Sequence, residues 1–121
     1  MYKKCTKDEI YTTESISRED AHDIDIDGTE LVCVPNNGNI YRKMKSGFWK
    51  KIENHQNHNK GYNVILINKK QYARSKLILH CLNKINLESR NVNIYHINGD
   101  RLDCKSNNLT FIVQNTNSQR K

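Results

Sequence analysis

The sequence has no apolar run that approaches the roughly 20 residues needed to span a bilayer. Hydrophobic residues make up only 36% of its 121 residues, and the mean hydropathy is −0.87. The first residues have no apolar stretch behind their lysines, so a secretory signal is not expected. We therefore expect a single intracellular domain with a small core, neither secreted nor inserted in a membrane.

The four cysteines are widely spaced along the chain. Their positions, 5, 33, 81 and 104, include no Cys-x-x-Cys pair and none of the short spacings of structural zinc sites. In an intracellular chain, thiols of this kind are by default reduced. We therefore expect reduced, mostly buried thiols, and a composite zinc site of Cys81 or Cys104 with His80 is left open as the alternative.

Acidic and basic side chains are divided between two parts of the chain. Residues 1–30 carry four basic and nine acidic side chains, whereas residues 31–121 carry sixteen basic and four acidic ones. The net charge is therefore −5 for the first part and +12 for the second. Such a field favours a polyanion, most often nucleic acid, because each Lys or Arg that meets a phosphate releases condensed counterions. Composition alone leaves open a solvated lysine-rich surface.

Turn residues divide the first two thirds of the chain into short β segments. We interpret residues 1–29 as an acidic arm that tethers, solvates or covers the basic surface. The runs at 30–34 and 40–44 flank a turn rich in Asn and Gly and predict a hairpin. The β-branched run at 61–67 predicts a further strand, and a turn at 68–70 reverses the direction of the chain after it. Residues 30–91 thus contain a small antiparallel β region.

One helix and two more strands complete the predicted elements. Ser75 can cap a helix whose apolar residues fall at helical spacing: Leu77, Ile78, Cys81, Leu82 and Ile85. Strands are predicted at 92–97 and 108–113, with one or two helical turns after them. The sequence therefore predicts an α+β fold in which 30–91 precede a C-terminal module at 92–121, in one compact domain.

Three polar side chains in the C-terminal third have the chemistry of a phosphodiesterase site. His96 ends a predicted strand, Asn108 follows twelve residues on, and Asn117 nine residues beyond that. They supply a neutral base, a polar pin for the intervening loop and an oxygen ligand for a hard cation. An unperturbed pKa near 6.5 suits His96 to take a proton from water while a cation stabilises the leaving oxygen.

Several further motifs surround these residues in a fixed order: Gly38-Asn39-Ile40-Tyr41-Arg42, Gly61-Tyr62-Asn63-Val64, His80-Cys81-Leu82, His96-Ile97-Asn98-Gly99-Asp100 and Asn107-Asn108-Leu109. Together they resemble the HNH, or ββα-metal, nucleases, and in particular the branch found in phage- and intron-encoded homing endonucleases. The resemblance covers about residues 30–117. It implies a small antiparallel β region followed by a C-terminal ββα-metal (HNH) module at 92–121, acting as a metal-dependent DNA endonuclease.

The resemblance also implies roles for single residues. His96 would be the general base, Asn108 would hold the loop closed by bonds to the backbone, and Asn117 would ligate a divalent cation, Mg²⁺ or alternatively Mn²⁺. The family's second metal ligand, usually Asp or Asn, corresponds to Tyr95, whose neutral phenol is a poor ligand for Mg²⁺. Three alternatives follow: a weakened nuclease, one in which Tyr95 or a carboxylate such as Asp100 acts differently, or a catalytically decayed domain that binds nucleic acid without cutting.

DNA is the expected partner, with no membrane and no small-molecule substrate, and a homodimer is left open. The predicted phosphate contacts are basic residues on or beside the hairpins that precede the nuclease module: Arg42, Lys43, Lys45, Lys50, Lys51, Lys69 and Lys70. We predict Trp49 in the core and His55 and His58 in a solvated loop. A protein-binding domain, in which the acidic arm and basic body pair between copies, is a third functional class.

Overall fold

The computed structural model describes residues 5–114, which form an α+β fold with antiparallel sheets, as the sequence predicts, and with two α-helices. The elements in chain order are α1 Lys7–Thr13, β1 His22–Ile26, β2 Thr29–Val34, β3 Asn39–Lys43, β4 Trp49–Lys51, β5 Val64–Ile67, β6 Lys70–Ala73, α2 Arg74–Cys81, β7 Val92–His96 and β8 Leu109–Val113. Neither helix is both long and apolar enough to cross a membrane within this part of the chain.

Strands β1 to β4 form an antiparallel meander in which each strand pairs with the next. Asp27 and Gly28 join β1 to β2 with positive φ angles of 50° and 87°. Two such residues form the tight turn whose twist matches that of a hairpin. The predicted hairpin of β2 and β3 is present, with Val34 paired to Asn39 across its turn.

Residues 5–29 belong to the fold, so the interpretation of this segment as an acidic arm is wrong. Strand β1 pairs along its whole length with β2. Helix α1 starts at a capping box between Thr6 and Glu9, and it buries Ile10 and Tyr11. The net charge of the segment gives no indication of these apolar positions. The alternation of Asp and Ile before Gly28 is the pattern of a half-buried strand.

Both faces of the β1–β4 sheet are covered. Leu31, Cys33 and Ile40 face the main core, which also contains residues of α2 and of the β5–β6 hairpin. The opposite face packs on α1 through a second cluster of apolar residues: Ile10, Val32, Val34, Tyr41 and Trp49. Burial on both faces explains the unbroken apolar run of β2. Trp49 is 4% exposed, which confirms the prediction that it lies in the core.

The β5–β6 hairpin leads directly into α2. Asn68 and Lys69 form its turn, both with positive φ. The helix begins at Arg74, and Ala73 is its N-cap without a side-chain hydrogen bond, so the prediction that Ser75 caps the helix is wrong. Ser75 is instead buried in the first turn of the helix.

Arg74 links the turns around the main core. Its side chain is 1% exposed, and its guanidinium donates hydrogen bonds to Asn63 Oδ1, to Gly38 O and to Ile52 O at 2.9, 2.9 and 2.7 Å. Burial lowers the pKa of Arg74 below its ordinary value, yet a guanidinium keeps its charge in proteins. One side chain therefore joins the β2–β3 turn, the end of β4 and the entry to β5.

Strands β7 and β8 form a two-stranded hairpin whose register runs from Val92↔Val113 to His96↔Leu109. Its inner face contributes Ile94, Leu109 and Phe111 to the main core. Its outer face is exposed, because successive side chains of a strand point to opposite faces. The helix expected after β8 falls on 115–121, outside the described residues, so the finer prediction of a ββα module goes beyond this structure.

Candidate functional site

His96 occupies the last position of β7, on the inner side of the hairpin and half-buried. Its Nε2 lies 4.0 Å from the Sγ of the buried Cys104. Burial lowers the pKa of His96 below the ordinary value near 6.5, and the positive charge of Arg101 lowers it further, against the opposing effect of Asp100 and Asp103. The imidazole is therefore neutral at pH 7 and able to accept a proton.

Asn108 joins both ends of the loop that follows β7. Its Oδ1 accepts from the Asn98 backbone amide at 2.9 Å, and its Nδ2 donates to Asp103 O at 2.9 Å and to Asn98 Oδ1 at 3.0 Å. Its backbone carbonyl accepts from Ile97 N at 2.8 Å. With 7% of its surface exposed, Asn108 makes the backbone bonds that the resemblance implies for it.

The same loop, residues 97–108, packs against the turn between β2 and β3. Ser106 N donates to Pro35 O at 2.8 Å. Gly38 approaches so closely that a Cβ there would lie 3.1 Å from the backbone carbonyl carbon of Cys104, and its φ is +78°. Only glycine fits this position without displacing the loop. The β1–β4 sheet thus forms a rigid base for the loop that carries the candidate site.

The two loop carboxylates take part in local hydrogen bonds. Asp100 Oδ1 accepts from Leu102 N at 3.0 Å, and Asp103 Oδ2 accepts from Asn98 Nδ2 at 2.9 Å. Desolvation would raise the pKa of Asp103, but hydrogen bonds from the Lys105 backbone amide and from Asn98 lower it overall. Asp100 is exposed and is the hard oxygen donor that this loop offers most openly.

The predicted metal ligands differ in how far the structure describes them. Tyr95 is 49% exposed on the outer face of the hairpin, opposite Thr110, whereas the adjacent His96 belongs to the inner face. Asn117 lies outside residues 5–114. Within those residues, no group of three or more His, Cys, Asp or Glu side chains is arranged to hold a metal ion.

A shallow groove of about 650 Å³ opens beside His96 and is called the His96 groove below. Its basic lining residues are Lys60, Lys76 and Arg101, and its aromatic ones are Tyr62 and Tyr95. No carboxylate lines it within the described part of the chain. The groove therefore offers three positive charges beside a neutral imidazole.

Two loops form one wall of the His96 groove. Arg101 of the loop 97–108 donates to the backbone carbonyl of Lys60, and Asn54 Nδ2 donates to the carbonyl of Leu102. Tyr62 stacks on His58, with ring centroids 4.3 Å apart. The polar segment before β5, which the sequence predicts to be solvated, is thus attached to the candidate site.

The seven predicted DNA contacts lie elsewhere, because none of them lines the His96 groove. Arg42 Nη1 donates to Leu66 O at 2.8 Å and lies opposite Lys50 on β4. Lys43 and Lys51 form exposed ion pairs with Glu30 at 3.4 Å and Glu14 at 3.3 Å. Three further lysines are exposed at turns of the hairpins: Lys45, Lys69 and Lys70. Their role in binding DNA stays a prediction.

Sequence reasoning missed Lys60, Lys76 and Arg101. They belong to a loop, a helix and a second loop. The three residues are separated by 16 and 25 positions, so no local motif joins them. It also missed Arg74, whose burial only the packing of three turns explains. The one sign in the sequence is that Arg101 directly follows the motif His96-Ile97-Asn98-Gly99-Asp100.

Comparison of the chain with protein-family models, with curated proteins and with solved structures finds no significant match. The geometry of the His96 groove and the motifs of the sequence are therefore the basis for assigning a function.

Proposed function

We propose that this chain is a DNA endonuclease of the HNH type, which hydrolyses phosphodiester bonds with the help of a divalent cation. The observation that carries the proposal is the loop locked by Asn108, which fixes His96 at the edge of a groove lined by cations. A general base must reach a water molecule beside a bound phosphate. A neutral, half-buried imidazole next to three positive charges supports that assignment.

His96 would accept the proton of the attacking water. Its Nε2 lies against the Cys104 thiol, so we assign Nδ1 to the water. The lowered pKa of His96 keeps the ring in its basic form at neutral pH. Arg101 would stabilise the negative charge on the phosphate, while Asn108 acts only by holding the loop.

When bound, a divalent cation such as Mg²⁺ or Mn²⁺ supplies charge stabilisation at the leaving oxygen and the phosphorus. The resemblance assigns Asn117 to this cation, and Tyr95 occupies the position of the second ligand. Asp100 offers a harder oxygen on the same loop as His96, and it is our preferred replacement for the phenol.

Plasmid nicking tests the proposal. We expect the purified chain to nick supercoiled plasmid in the presence of Mg²⁺ or Mn²⁺ and to lose that activity with EDTA. The variant His96→Ala should lower the rate about 100-fold or more, in line with the loss of a general base. The matched variant His55→Ala removes an exposed imidazole from the neighbouring loop and should leave the rate unchanged. Equal rates for the two variants would refute His96 as the base.

The alternative is a catalytically decayed HNH-fold protein that binds nucleic acid without cutting it. The specific observation that favours it is Tyr95, a neutral phenol on the outer face of β7 at the position of a metal ligand. In the same experiment, salt-sensitive retardation of the plasmid by the wild-type chain, without nicking in either metal, would support this alternative.

A further inference from the structure

We infer that Lys60, Lys76 and Arg101 are the principal contacts of this chain with the phosphodiester backbone of duplex DNA, and that the hairpin lysines contribute less. The inference rests on the proposed function, because it assigns the substrate contacts of the same groove. It concerns binding alone, so it can be tested without metal and without cleavage.

Charge in the His96 groove is of one sign. Of the residues between 5 and 114 that line it, Lys60, Lys76 and Arg101 are charged and none is acidic. The loop carboxylates Asp100 and Asp103 do not line it, and their oxygens accept hydrogen bonds within the loop 97–108. A concave surface lined by one sign of charge concentrates the field and attracts a polyanion.

Two of the three cations are already held in place by backbone carbonyls. Lys76 Nζ donates to Ser89 O at 3.0 Å, and Arg101 donates to the carbonyl of Lys60. Side chains that are ordered before binding lose less conformational entropy when they contact a ligand. Arg101 keeps further N–H donors in its planar fork, which suits the geometry of a phosphate.

The sheet surface offers a less favourable field to phosphate. The groove beside Arg42, Lys43 and Lys45 also contains Glu30, whose carboxylate pairs with Lys43. An exposed ion pair of this kind is weak, so Lys43 can still contact a phosphate. The nearby carboxylate nevertheless repels phosphate. Among the described residues, no carboxylate lines the His96 groove, and Asp100 and Asp103 of the adjacent loop accept hydrogen bonds within that loop.

A salt series on matched triple variants tests the inference. Anisotropy of a short fluorescent random-sequence duplex is measured in EDTA with the wild-type chain and with the triple variant Lys60→Gln, Lys76→Gln, Arg101→Gln. The control triple Lys45→Gln, Lys69→Gln, Lys70→Gln removes the same charge from the hairpins. We expect the slope of log K against log salt to become shallower by about 2.7 in the groove triple, at about 0.9 per phosphate, and by less than half of that in the control. An equal or larger change in the control would overturn the inference.

A second pair of variants keeps Arg101, because this residue also links two loops and its replacement could impair folding. The double variant Lys60→Gln, Lys76→Gln should make the slope shallower by about 1.8, and the double control Lys69→Gln, Lys70→Gln by less than half of that. A wild-type chain that never nicks plasmid while the groove variants lose binding would refute the nuclease and leave this inference standing. Nicking that depends on His96, together with unchanged DNA binding in the groove variants, would refute this inference alone.

Discussion

The β1–β4 sheet and the His96 groove both carry clustered cations, but they differ in the charges that lie beside those cations. Strands β1 and β2 and helix α1 bring the acidic part of the chain onto the sheet, where Glu30 and Glu14 pair with Lys43 and Lys51. Among the described residues that line the His96 groove, by contrast, none is acidic, although Asp100 precedes Arg101 in the adjacent loop. The basic side chains that the structure describes are therefore distributed unevenly with respect to the carboxylates.

The two regions also differ in what makes them rigid. The sheet has a ladder of backbone hydrogen bonds and apolar clusters on both faces. The loop 97–108 has no such ladder, and Asn108 closes it through a few side-chain bonds. Some substitutions should therefore destabilise the loop alone. Replacement of a residue that bonds to the turns around both regions should destabilise both.

Arg74 is that residue, and its replacement should give the largest effect. The shorter side chain in Arg74→Gln cannot make all three hydrogen bonds of the guanidinium. The carbonyl oxygens of Gly38 and Ile52 then lose the donor that Arg74 supplies. We expect a loss of about 3 to 5 kcal/mol in the free energy of unfolding. Urea unfolding followed by the fluorescence of Trp49 measures this change.

The control for this prediction is Arg42→Gln, which removes the same charge and a single bond to Leu66 O from a half-buried site. It should cost about 1 kcal/mol or less. An equal loss of unfolding free energy in the two variants would mean that the three hydrogen bonds of Arg74 stabilise the fold no more than the single bond of Arg42.

Asn108→Ala should damage the loop and spare the sheet. The substitution leaves the Asn98 amide and the Asp103 carbonyl without their partner in a nearly buried place. We expect a loss of about 2 to 3 kcal/mol of local stability, seen as faster hydrogen exchange at the Asn98 amide. Exchange at amides of β2 should change much less.

The neighbouring Asn107→Ala is the matched control, because Asn107 is exposed and adjacent to the same turn. It should leave the exchange of the Asn98 amide as in the wild-type chain. Protection of that amide in Asn108→Ala at the wild-type level would show that the backbone alone keeps the loop closed.

Local patterns were enough to predict much of the fold. The β2–β3, β5–β6 and β7–β8 hairpins follow from turn residues with positive φ and from β-branched runs. Helix α1 was not predicted, because Ile10 and Tyr11 are its only buried residues and the net charge around them dominated the interpretation. Its stability comes from packing on Trp49 and its neighbours, which pattern alone does not reveal.

The candidate site was predictable only in part. His96 and Asn108 fall within one short stretch, so their spacing could suggest a base and a loop pin. The cations of the His96 groove come from three separate segments and meet only through tertiary packing. The predicted hairpin contacts are neighbours along the chain, which says nothing of Glu30 on β2 and Glu14 at the end of α1, the carboxylates that the fold brings beside Lys43 and Lys51.

The smallest expected effect is a change in the pKa of His96, which compares how a charge in each of the two regions acts on that imidazole. Arg101→Gln should raise the pKa of His96 toward its ordinary value, because the positive charge of Arg101 is one cause of the lowering. The rise should be incomplete, since burial is the larger cause and remains. Titration of the His96 ring protons by NMR in metal-free buffer measures it, with His96→Gln identifying the resonance.

The sheet supplies the control for this titration, because Arg42→Gln removes a charge from that region and should leave the pKa of His96 unchanged. Since the folded pKa of His96 is below the unfolded one, the unfolded chain takes up the proton first as the solution is acidified. The wild-type chain should therefore lose stability as pH falls through about 6.5, and Arg101→Gln should lose less. A His96 pKa that is the same in Arg101→Gln and Arg42→Gln would mean that burial alone sets it and that the charge of Arg101 does not reach the imidazole.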